Sequence, residues 1–288
     1  MNKCESNTKK QYLAARDSLE KYIDEQMDSP YLKSLRESDL AGKIRNREIR
    51  YTWADSQVYV DPADKLLVKT KAAGYQMLVD LKPYMENAQK ELIIISPYFV
   101  PGKKGTDFLV GLQKRGVKVR ILTNSLASTD VSIVHAGYAR YRKPLLRAGV
   151  ELWELNQKTA KADRQAVKRG QIGDSKTSLH AKTFIVDRDQ AFIGSLNLDQ
   201  RSVIQNTEIG VIVESPELAQ EIAGGLDKKL ASGAFRLKLE VDQDGVEHTT
   251  WHGFVDGKQT RLTTEPYTGF WKRFGASFLR LMPIESQI

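Results

Sequence analysis

The residues best suited to chemistry are concentrated in one segment, residues 179–202, with the sequence LHAKTFIVDRDQAFIGSLNLDQRS. A lysine follows a histidine by two positions, an aspartate comes next, and a Gly-Ser-x-Asn sequence ends the pattern. Lysine, hydroxyl and amide groups are donors that bind phosphate oxygens. The segment therefore predicts a site for an anionic ligand such as a phosphate. Its members are His180, Lys182, Asp187, Gly194, Ser195 and Asn197.

The histidine and the lysine belong to a segment that is typical of a strand, SLHAKTFIVD. Because His180 and Lys182 are two residues apart, their side chains should point to the same face of that strand. A lysine in a strand that is apolar on both sides is rarely buried without a partner, and a phosphate would supply one. Asp187 lies an odd number of residues from His180, which favours a structural role at the end of the strand.

Gly194, Ser195 and Asn197 form a predicted turn whose hydroxyl, amide and backbone donors suit phosphate oxygens. The alternative is that each residue is structural. A lone histidine on an apolar strand is more often a core residue, and a Ser or Asn in a turn usually bonds to its own backbone. The combination of these scarce residue types in one short pattern favours a site over coincidence.

Strands alternate with helices from residue 71 onward, which predicts an α/β domain with a parallel or mixed sheet. The apolar run ELIIISPYF predicts a buried strand, and Gly116 predicts the end of the helix that follows. Alternation around Asp244-Gly245 predicts a β-hairpin. The predicted helices cover residues 74–90, 105–116, 131–148 (interrupted near Pro144) and 216–231, and the predicted strands cover 91–99, 117–124, 149–155, 178–187, 190–195 and 207–213.

Two stretches depart from this alternation. The N-terminal part is polar and poor in glycine, which predicts a helical connector over residues 1–70, followed by the α/β domain over residues 71–288. Residues 156–177 contain six basic and two acidic residues. Their composition predicts an exposed loop. Their position directly before His180 favours contact with an anionic substrate or membrane.

The composition excludes several classes of protein. The 288 residues are 41% hydrophobic, which is enough for a core and excludes global disorder. The single cysteine, Cys4, cannot form an internal disulfide. No apolar stretch is long enough to predict a spanning helix, and the N-terminus lacks the apolar core of a signal peptide. The net charge of +8 favours partners that carry phosphate, either nucleic acid or anionic membrane.

The pattern H-x-K-x4-D-x6-G-S-x-N resembles the signature of the phospholipase D superfamily, which implies a mixed β-sheet flanked by helices. The resemblance implies a mechanism without metal or nucleotide, in which His180 attacks phosphorus and forms a phosphohistidine. Lys182 and Asn197 would neutralise and orient the phosphate oxygens. Glu208 in NTEIG matches the family's downstream acid, which hydrogen-bonds the other ring nitrogen of the motif histidine. The implied catalytic residues are His180, Lys182, Asp187, Asn197 and Glu208, and the implied substrate-binding residues include Gly194 and Ser195.

Flanking segments resemble bacterial cardiolipin synthases, most closely those of the C type. The similar segments are SPYFVPG (96–102), TNSLASTD (123–130) and HAGYARYRKPLLRAGVELWEL (135–155). This resemblance implies phosphatidyl transfer between membrane phospholipids, with phosphatidylglycerol and phosphatidylethanolamine as partners. It also implies a peripheral location on the cytoplasmic side of the bacterial inner membrane.

Active members of the superfamily bring two such motifs together, and this chain holds one. The other histidines, His135, His248 and His252, do not begin an H-x-K sequence. The chain therefore resembles the C-terminal half of a two-motif enzyme. A homodimer, a separate N-terminal half or an inactive membrane-binding remnant would each explain the single motif. A single-motif homodimeric phosphodiesterase or nuclease is the alternative enzyme, which the basic residues 156–177 favour.

Two further segments have a possible role in binding. His135 and Tyr138 follow a predicted strand, and the family resemblance places them near the substrate channel. A helix packed on the sheet is the structural alternative. In residues 266–284, apolar aromatic side chains share one side of a predicted helix and basic side chains the other. This pattern favours an interfacial membrane helix over a helix docked on the domain.

Overall fold

In a computed structural model the chain divides into two units. The structure describes residues 3–27, 29, 32, 36–49, 51–66, 76–158 and 178–282. Most of the basic segment predicted as a loop, from residue 159 to residue 177, lies outside the described residues. The first unit includes residues 1–51 and contains helices α1 (Lys3–Met27) and α2 (Asp39–Arg45). The helices predicted near the N-terminus are therefore confirmed within this unit.

The second unit contains a ten-stranded sheet flanked by helices. The strand order is β1-β7-β6-β5-β2-β3-β4-β8-β9-β10. The strands are β1 (Asp55–Val60), β2 (Glu91–Ile95), β3 (Lys118–Thr123), β4 (Glu151–Leu155), β5 (Thr183–Val186), β6 (Gln190–Gly194), β7 (Ile209–Glu214), β8 (Ala234–Val241), β9 (Glu247–Val255) and β10 (Lys258–Leu262). The helices are α3 (Gln76–Glu86), α4 (Gly102–Lys114), α5 (Ser132–Ala139), α6 (Arg142–Arg147), α7 (Gln200–Ile204), α8 (Pro216–Gly233) and α9 (Phe270–Leu281).

The sheet is mixed, as the sequence predicts. β2 pairs with β3 and β3 with β4 in parallel, and every other pair is antiparallel. Successive residues of β2 face opposite sides of the sheet, because side chains alternate along a strand. Leu92 and Ile94 join the apolar cluster that contains α3, α4 and α5 residues. Ile93 and Ile95 join a second cluster that contains residues of α8. Helices on both faces therefore bury the central strands.

The boundary predicted at residue 70 is wrong. Residues 55–60 form β1, which pairs with β7 from Asp55 opposite Glu214 to Val60 opposite Ile209. β1 is an edge strand and most of its side chains are exposed. A short, half-solvated strand of this kind has no continuous apolar run to identify it. The second unit therefore begins at residue 52.

One local prediction changes and another is confirmed. The helical stretch 131–148 is interrupted at residues 140–141, between α5 and α6, whereas Pro144 lies in the first turn of α6. The first turn tolerates proline because it lacks intrahelical N–H partners. The hairpin around Asp244-Gly245 is confirmed as β8 and β9. A second hairpin, β9 to β10, turns at Asp256-Gly257.

Among the described residues, none of the helices has the length and apolar character needed to span a membrane. The helix predicted in residues 266–284 is present as α9.

Candidate active site

One edge of the sheet collects the polar residues of the pattern. β2 and β3 end at this edge, because they are parallel, with Ile95 and Thr123 as their last residues. β5 begins there, since Thr183 pairs with Ile95. The end of β6, the start of β7 and the end of β1 follow by antiparallel pairing. The carboxyl ends of parallel strands are the usual ligand-binding edge of an α/β sheet.

His180 and Lys182 lie at this edge, just before β5 and not within it as predicted. The Lys182 carbonyl still accepts a hydrogen bond of 3.1 Å from Gly194 N, which extends the pairing with β6 by one residue. The Lys182 ammonium donates to the His180 carbonyl at 3.0 Å and lies 3.4 Å from Nδ1 and 3.5 Å from Nε2 of the same residue. The two side chains therefore lie together, and His180 is exposed.

Several charges surround the lysine. Partial burial lowers the pKa of Lys182, while the carboxylates of Glu208, Asp130 and Asp199 act in the opposite direction. These carboxylates favour the ammonium form, which is the form that attracts a phosphate. The site thus holds a lysine partly removed from water, next to an exposed imidazole.

Segment 178–179 is fixed by a residue that follows β3. Asn124 Oδ1 accepts a hydrogen bond of 2.9 Å from Leu179 N, and Asn124 Nδ2 donates to Ser178 Oγ at 3.1 Å. Asn124 is buried. Its side chain therefore fixes the backbone directly before His180.

Asp187 lies at the opposite end of β5 from His180. Its carboxylate accepts hydrogen bonds from the backbone N–H groups of Gln89, Lys90 and Glu91, at 2.7–2.9 Å. Partial burial acts to raise the pKa of Asp187, but these N–H bonds keep it below its usual value. The catalytic role implied by the resemblance does not fit this position. Asp187 instead fixes the start of β2, a structural role of the kind that the spacing favoured.

Gly194 is required for steric reasons. It lies opposite Gly210 of β7, and a Cβ on Gly194 would come within 2.6 Å of both the Phe192 ring and the Ile209 carbonyl oxygen. The Phe192 ring stacks on Phe184, with ring centroids 4.9 Å apart. The ring therefore occupies the space that a side chain at residue 194 would need, and the predicted substrate contact of Gly194 is limited to its backbone.

Ser195 and Glu208 bind each other. Ser195 Oγ donates a short hydrogen bond to Glu208 Oε2 and accepts one of 3.0 Å from Ile209 N. Glu208 is buried, and its other oxygen accepts from Asn206 Nδ2 at 3.1 Å. The carboxylate oxygens of Glu208 are thus directed to Ser195 and Asn206, and the bond from Glu208 to the His180 ring stays a prediction. The Ser195 hydroxyl positions Glu208, and its role in substrate binding stays a prediction.

Asn197, in the segment between β6 and α7, is buried. Its Nδ2 donates to Ser202 Oγ at 3.2 Å, and its Oδ1 has no hydrogen-bond partner among the described residues. A buried amide atom without a partner costs free energy, so such atoms mark sites where a ligand or water completes the bonding. Rotating the amide by half a turn would let Oδ1 accept from Ser202 and leave the N–H donors open.

A buried ion pair between Asp61 and Lys65 links the backbone of Glu208 to that of Ser202. Lys65 Nζ lies 2.7 Å from Asp61 Oδ2, and the two side chains are each 1% exposed. Asp61 also accepts from Glu208 N at 3.0 Å, and Lys65 donates to the Ser202 carbonyl at 3.5 Å. The pair follows β1, in a segment that sequence analysis assigned to the connector. No local signal identifies it, since its partners lie more than a hundred residues away along the chain.

His135 and Tyr138, predicted to bind substrate, are instead core residues at 3% and 2% exposure. His135 Nε2 lies 2.7 Å from Arg142 Nη2 and 3.3 Å from Glu265 Oε1. Arg142 also pairs with Glu154 at 2.7 Å and covers the Tyr138 ring at 4.8 Å. The cavity beside these rings has room for about one water. Both residues therefore belong to a packed helix, which favours the structural alternative, and their substrate contacts stay a prediction.

Two carboxylates, Glu154 and Glu265, share the guanidinium of Arg142 in this buried cluster. Burial raises the pKa of Glu154. Burial acts in the same direction on Glu265, but Arg142 and His135 hold its pKa at about 2. Among the residues that the structure describes, no cluster of His, Cys, Asp or Glu side chains has an arrangement that could hold a metal ion.

Comparisons with known proteins show which family this chain is similar to. Residues 81–229 match a family described as "Cardiolipin synthase, PLD-like domain". The chain is 38% identical over 261 residues to cardiolipin synthase C of Escherichia coli K12, covering 90% of this chain and 54% of that protein. It is 22% identical over 204 residues to cardiolipin synthase B of the same strain, covering 71% of this chain and 40% of that protein. The chain thus spans about half the length of the curated relatives it matches.

Solved structures include a crystal structure of a phospholipase D family member, Nuc from Salmonella typhimurium. The likeness covers 61% of this chain and 93% of that one, at 18% sequence identity and a TM-score of 0.45.

Proposed function

Because the chain belongs to the family of cardiolipin synthase, PLD-like domains, we propose that it supplies one half of a phosphatidyltransferase active site. The observation that carries the proposal is the exposed imidazole of His180, with the Lys182 ammonium 3.4 Å from its Nδ1. A phosphodiester is slow to cleave, and a covalent intermediate divides the reaction into two easier steps.

In the first step, a ring nitrogen of His180 attacks the phosphorus of phosphatidylglycerol. The N–P bond forms as the P–O bond to the glycerol headgroup breaks, and a histidine of a second motif gives its proton to the leaving oxygen. In the second step, a hydroxyl of another phosphatidylglycerol gives its proton to that histidine and attacks phosphorus. The N–P bond breaks, and cardiolipin and free His180 result. Phosphatidylethanolamine serves as an alternative donor, with ethanolamine leaving.

The neighbouring residues have supporting roles in this proposal. The Lys182 ammonium stabilises charge that develops on the phosphate oxygens, an effect that grows when water is excluded. Once its amide is rotated by half a turn, Asn197 donates from Nδ2 to a phosphate oxygen, on the side where Oδ1 now has no partner among the described residues. Glu208 keeps Lys182 protonated and is itself held by Ser195. The mechanism uses no metal or nucleotide.

The second histidine comes from a second phospholipase D-like half, since this chain has one H-x-K sequence. An exposed apolar surface beside the site supports such a partner. Cross-strand pairing brings Val58 and Val60 of β1 next to Ile209 of β7 and Ile193 of β6, and these side chains are 62%, 58%, 55% and 41% exposed. Ile209 also donates its N–H to Ser195, so the surface borders the site.

A lipid substrate places the protein at a membrane. We assign the chain to the cytoplasmic side of the bacterial inner membrane, as a peripheral protein. The positive net charge of +8 supports attraction to anionic lipid.

The test is product analysis from phosphatidylglycerol, by mass spectrometry, for the chain alone and co-expressed with an N-terminal half. We expect cardiolipin and glycerol in at least one arm, with size-exclusion chromatography reporting a dimer if the chain alone is active. Introduction of negative charge by Val58→Glu with Val60→Glu should abolish both association and transfer. Absence of cardiolipin in every arm would contradict the proposal. Metal-independent DNA cleavage that His180→Ala abolishes would instead identify a nuclease.

A further inference from the structure

Helix α9 presents an unusual face to solvent. Phe270, Trp271, Phe274, Phe278 and Leu281 lie within an arc of roughly 120° and are 53–84% exposed. The opposite side, which includes Lys272, Ala276 and Leu279, is the half-buried one. A helix docked on a globular domain normally buries its apolar face and exposes its polar face. α9 is therefore packed with its apolar face outward.

Contacts fix α9 in this orientation. The helix packs against α5, and Leu279 contacts the apolar core. Arg140, directly after α5, donates a short hydrogen bond to the Met282 carbonyl, and Arg273 donates one to the Thr268 carbonyl. The exposed aromatic rings contact one another, with ring centroids of Phe270 and Trp271 5.3 Å apart. The outward apolar face is therefore a built feature of the domain.

The charge of residues 266–282 indicates which kind of partner covers the apolar face of α9. Residues 266–282 contain Lys272, Arg273 and Arg280 and no acidic residue. An aromatic and aliphatic face flanked by basic side chains is typical of helices that lie in the interface of an anionic membrane. A protein partner would not require the absence of acidic residues.

The position of α9 connects it to the candidate active site. α5, on which it packs, is preceded by Asp130, which accepts a hydrogen bond of 2.8 Å from the Tyr98 hydroxyl. Tyr138 of α5 contacts Phe99, and Phe99 pairs with Leu198, the neighbour of Asn197. The loop after β2 therefore packs on the helix that supports α9, and it pairs with the segment that carries Asn197.

We propose that α9 inserts its apolar face into the headgroup region of an anionic phospholipid surface and thereby holds the His180 edge of the sheet at that surface. The inference rests on the proposed function for its substrate, and it adds a binding site that the transfer chemistry does not require. Trp271 and the neighbouring phenylalanines enter the lipid, while Arg273 and Arg280 meet phosphate groups.

Vesicle flotation tests the inference directly. The whole chain is mixed with vesicles of phosphatidylcholine alone or with added phosphatidylglycerol. We expect flotation with the mixed vesicles, and a loss of roughly tenfold or more in the variant Trp271→Ser, Phe274→Ser, Phe278→Ser. The matched control is Val241→Ser with Val246→Ser, which removes apolar side chains of similar exposure, 64% and 51%, from the β8–β9 hairpin. The control should float as the original chain does.

Two further measurements identify the bound residues. Brominated phosphatidylglycerol should quench tryptophan fluorescence, and Trp271→Phe should remove that quenching. Arg280→Gln should weaken binding to phosphatidylglycerol vesicles more than to phosphatidylcholine vesicles, because its effect is electrostatic. All variants should keep the original melting temperature, since the changed side chains are exposed.

Activity separates this inference from the proposed function. On monomeric short-chain phosphatidylglycerol the α9 variant should turn over as the original chain does, whereas on vesicles it should lose activity in parallel with binding. Failure of the original chain to float, or equal flotation of the α9 variant, would overturn the inference even if transfer persists. A change of oligomeric state in the α9 variant would also overturn it, because the face would then bind protein. Flotation without transfer would overturn the proposed function alone.

Discussion

His180 and His135 lie in two regions with opposite surroundings. His180 is exposed, and its ring contacts the Lys182 ammonium. His135 is 3% exposed and lies between Arg142 and Glu265 in a closed network of charges. A nucleophile must reach its substrate with a free lone pair, whereas a buried histidine bonded on its ring stabilises the fold. We infer that the partners of a histidine, more than its presence near a strand end, distinguish a candidate nucleophile from a structural residue.

Removal of the exposed His180 imidazole should have the largest effect on the rate of transfer. His180→Ala should lower transfer roughly 10⁴-fold or more, because no covalent intermediate can then form. Steady-state assays of cardiolipin formation measure the loss. His248→Ala is the matched control, since His248 is exposed and bonds to Asp242 in the distant hairpin. Equal losses of transfer activity in the two variants would contradict a specific role for His180.

Disrupting the buried ion pairs of Arg142 should lower the free energy of unfolding and leave the transfer activity per folded molecule unchanged. Arg142→Met removes the partner of Glu154 and Glu265 and should lower the free energy of unfolding by about 3–5 kcal/mol. Urea denaturation measures the change. Arg147→Met is the control, because its pair with Glu247 is largely exposed to water, and we expect little change in the free energy of unfolding there. Activity per folded molecule that falls as far as in His180→Ala would assign this cluster to the reaction.

Lys182 should affect the reaction without affecting the fold. Lys182→Met keeps the length of the side chain and removes its charge, so transfer should fall about 10²–10³-fold. The melting temperature should stay close to that of the original chain. A drop in stability comparable to that of Arg142→Met, with little loss of rate, would place Lys182 among the structural residues.

Asp187 should produce the smallest effect. Its pKa is held low in the folded protein, so its contribution to stability is present above the unfolded pKa of about 3.9 and is lost as the pH falls below it. Asp187→Asn should lower the free energy of unfolding at neutral pH by about 1–2 kcal/mol and flatten its decline in acid. Transfer per folded molecule should not change. A large loss of rate at unchanged stability would return Asp187 to the catalytic group.

The sequence predicts the central sheet well because its strands are apolar runs bounded by clear turn residues. β2 and β3 lie within the predicted ranges, and α4 ends just before Gly116, whose φ is 88°. β1 is not predicted, because an edge strand with exposed side chains has no such run, and its partner β7 lies about 150 residues away in the chain.

The sequence predicts the residue types of the site better than it predicts the contacts between those residues. Spacing alone indicates that His180 and Lys182 share a side and that Asp187 is structural. The bond between Ser195 and Glu208, and the Asp61–Lys65 pair behind it, depend on which strands are neighbours. Long-range pairing determines those contacts, and one sequence does not contain that information. Burial of His135 is likewise set by Glu265, which lies 130 residues away.

Capture of the covalent intermediate is the most direct test of the proposal that His180 is the nucleophile. The chain, together with its second half if transfer requires one, is mixed with short-chain phosphatidylglycerol and denatured without acid. Peptides are then mapped by mass spectrometry. We predict a phosphatidyl adduct on His180 that is absent from His180→Ala and retained in His135→Gln. Cardiolipin formation by His180→Ala at the original rate, or an adduct on a different residue, would contradict the proposed mechanism.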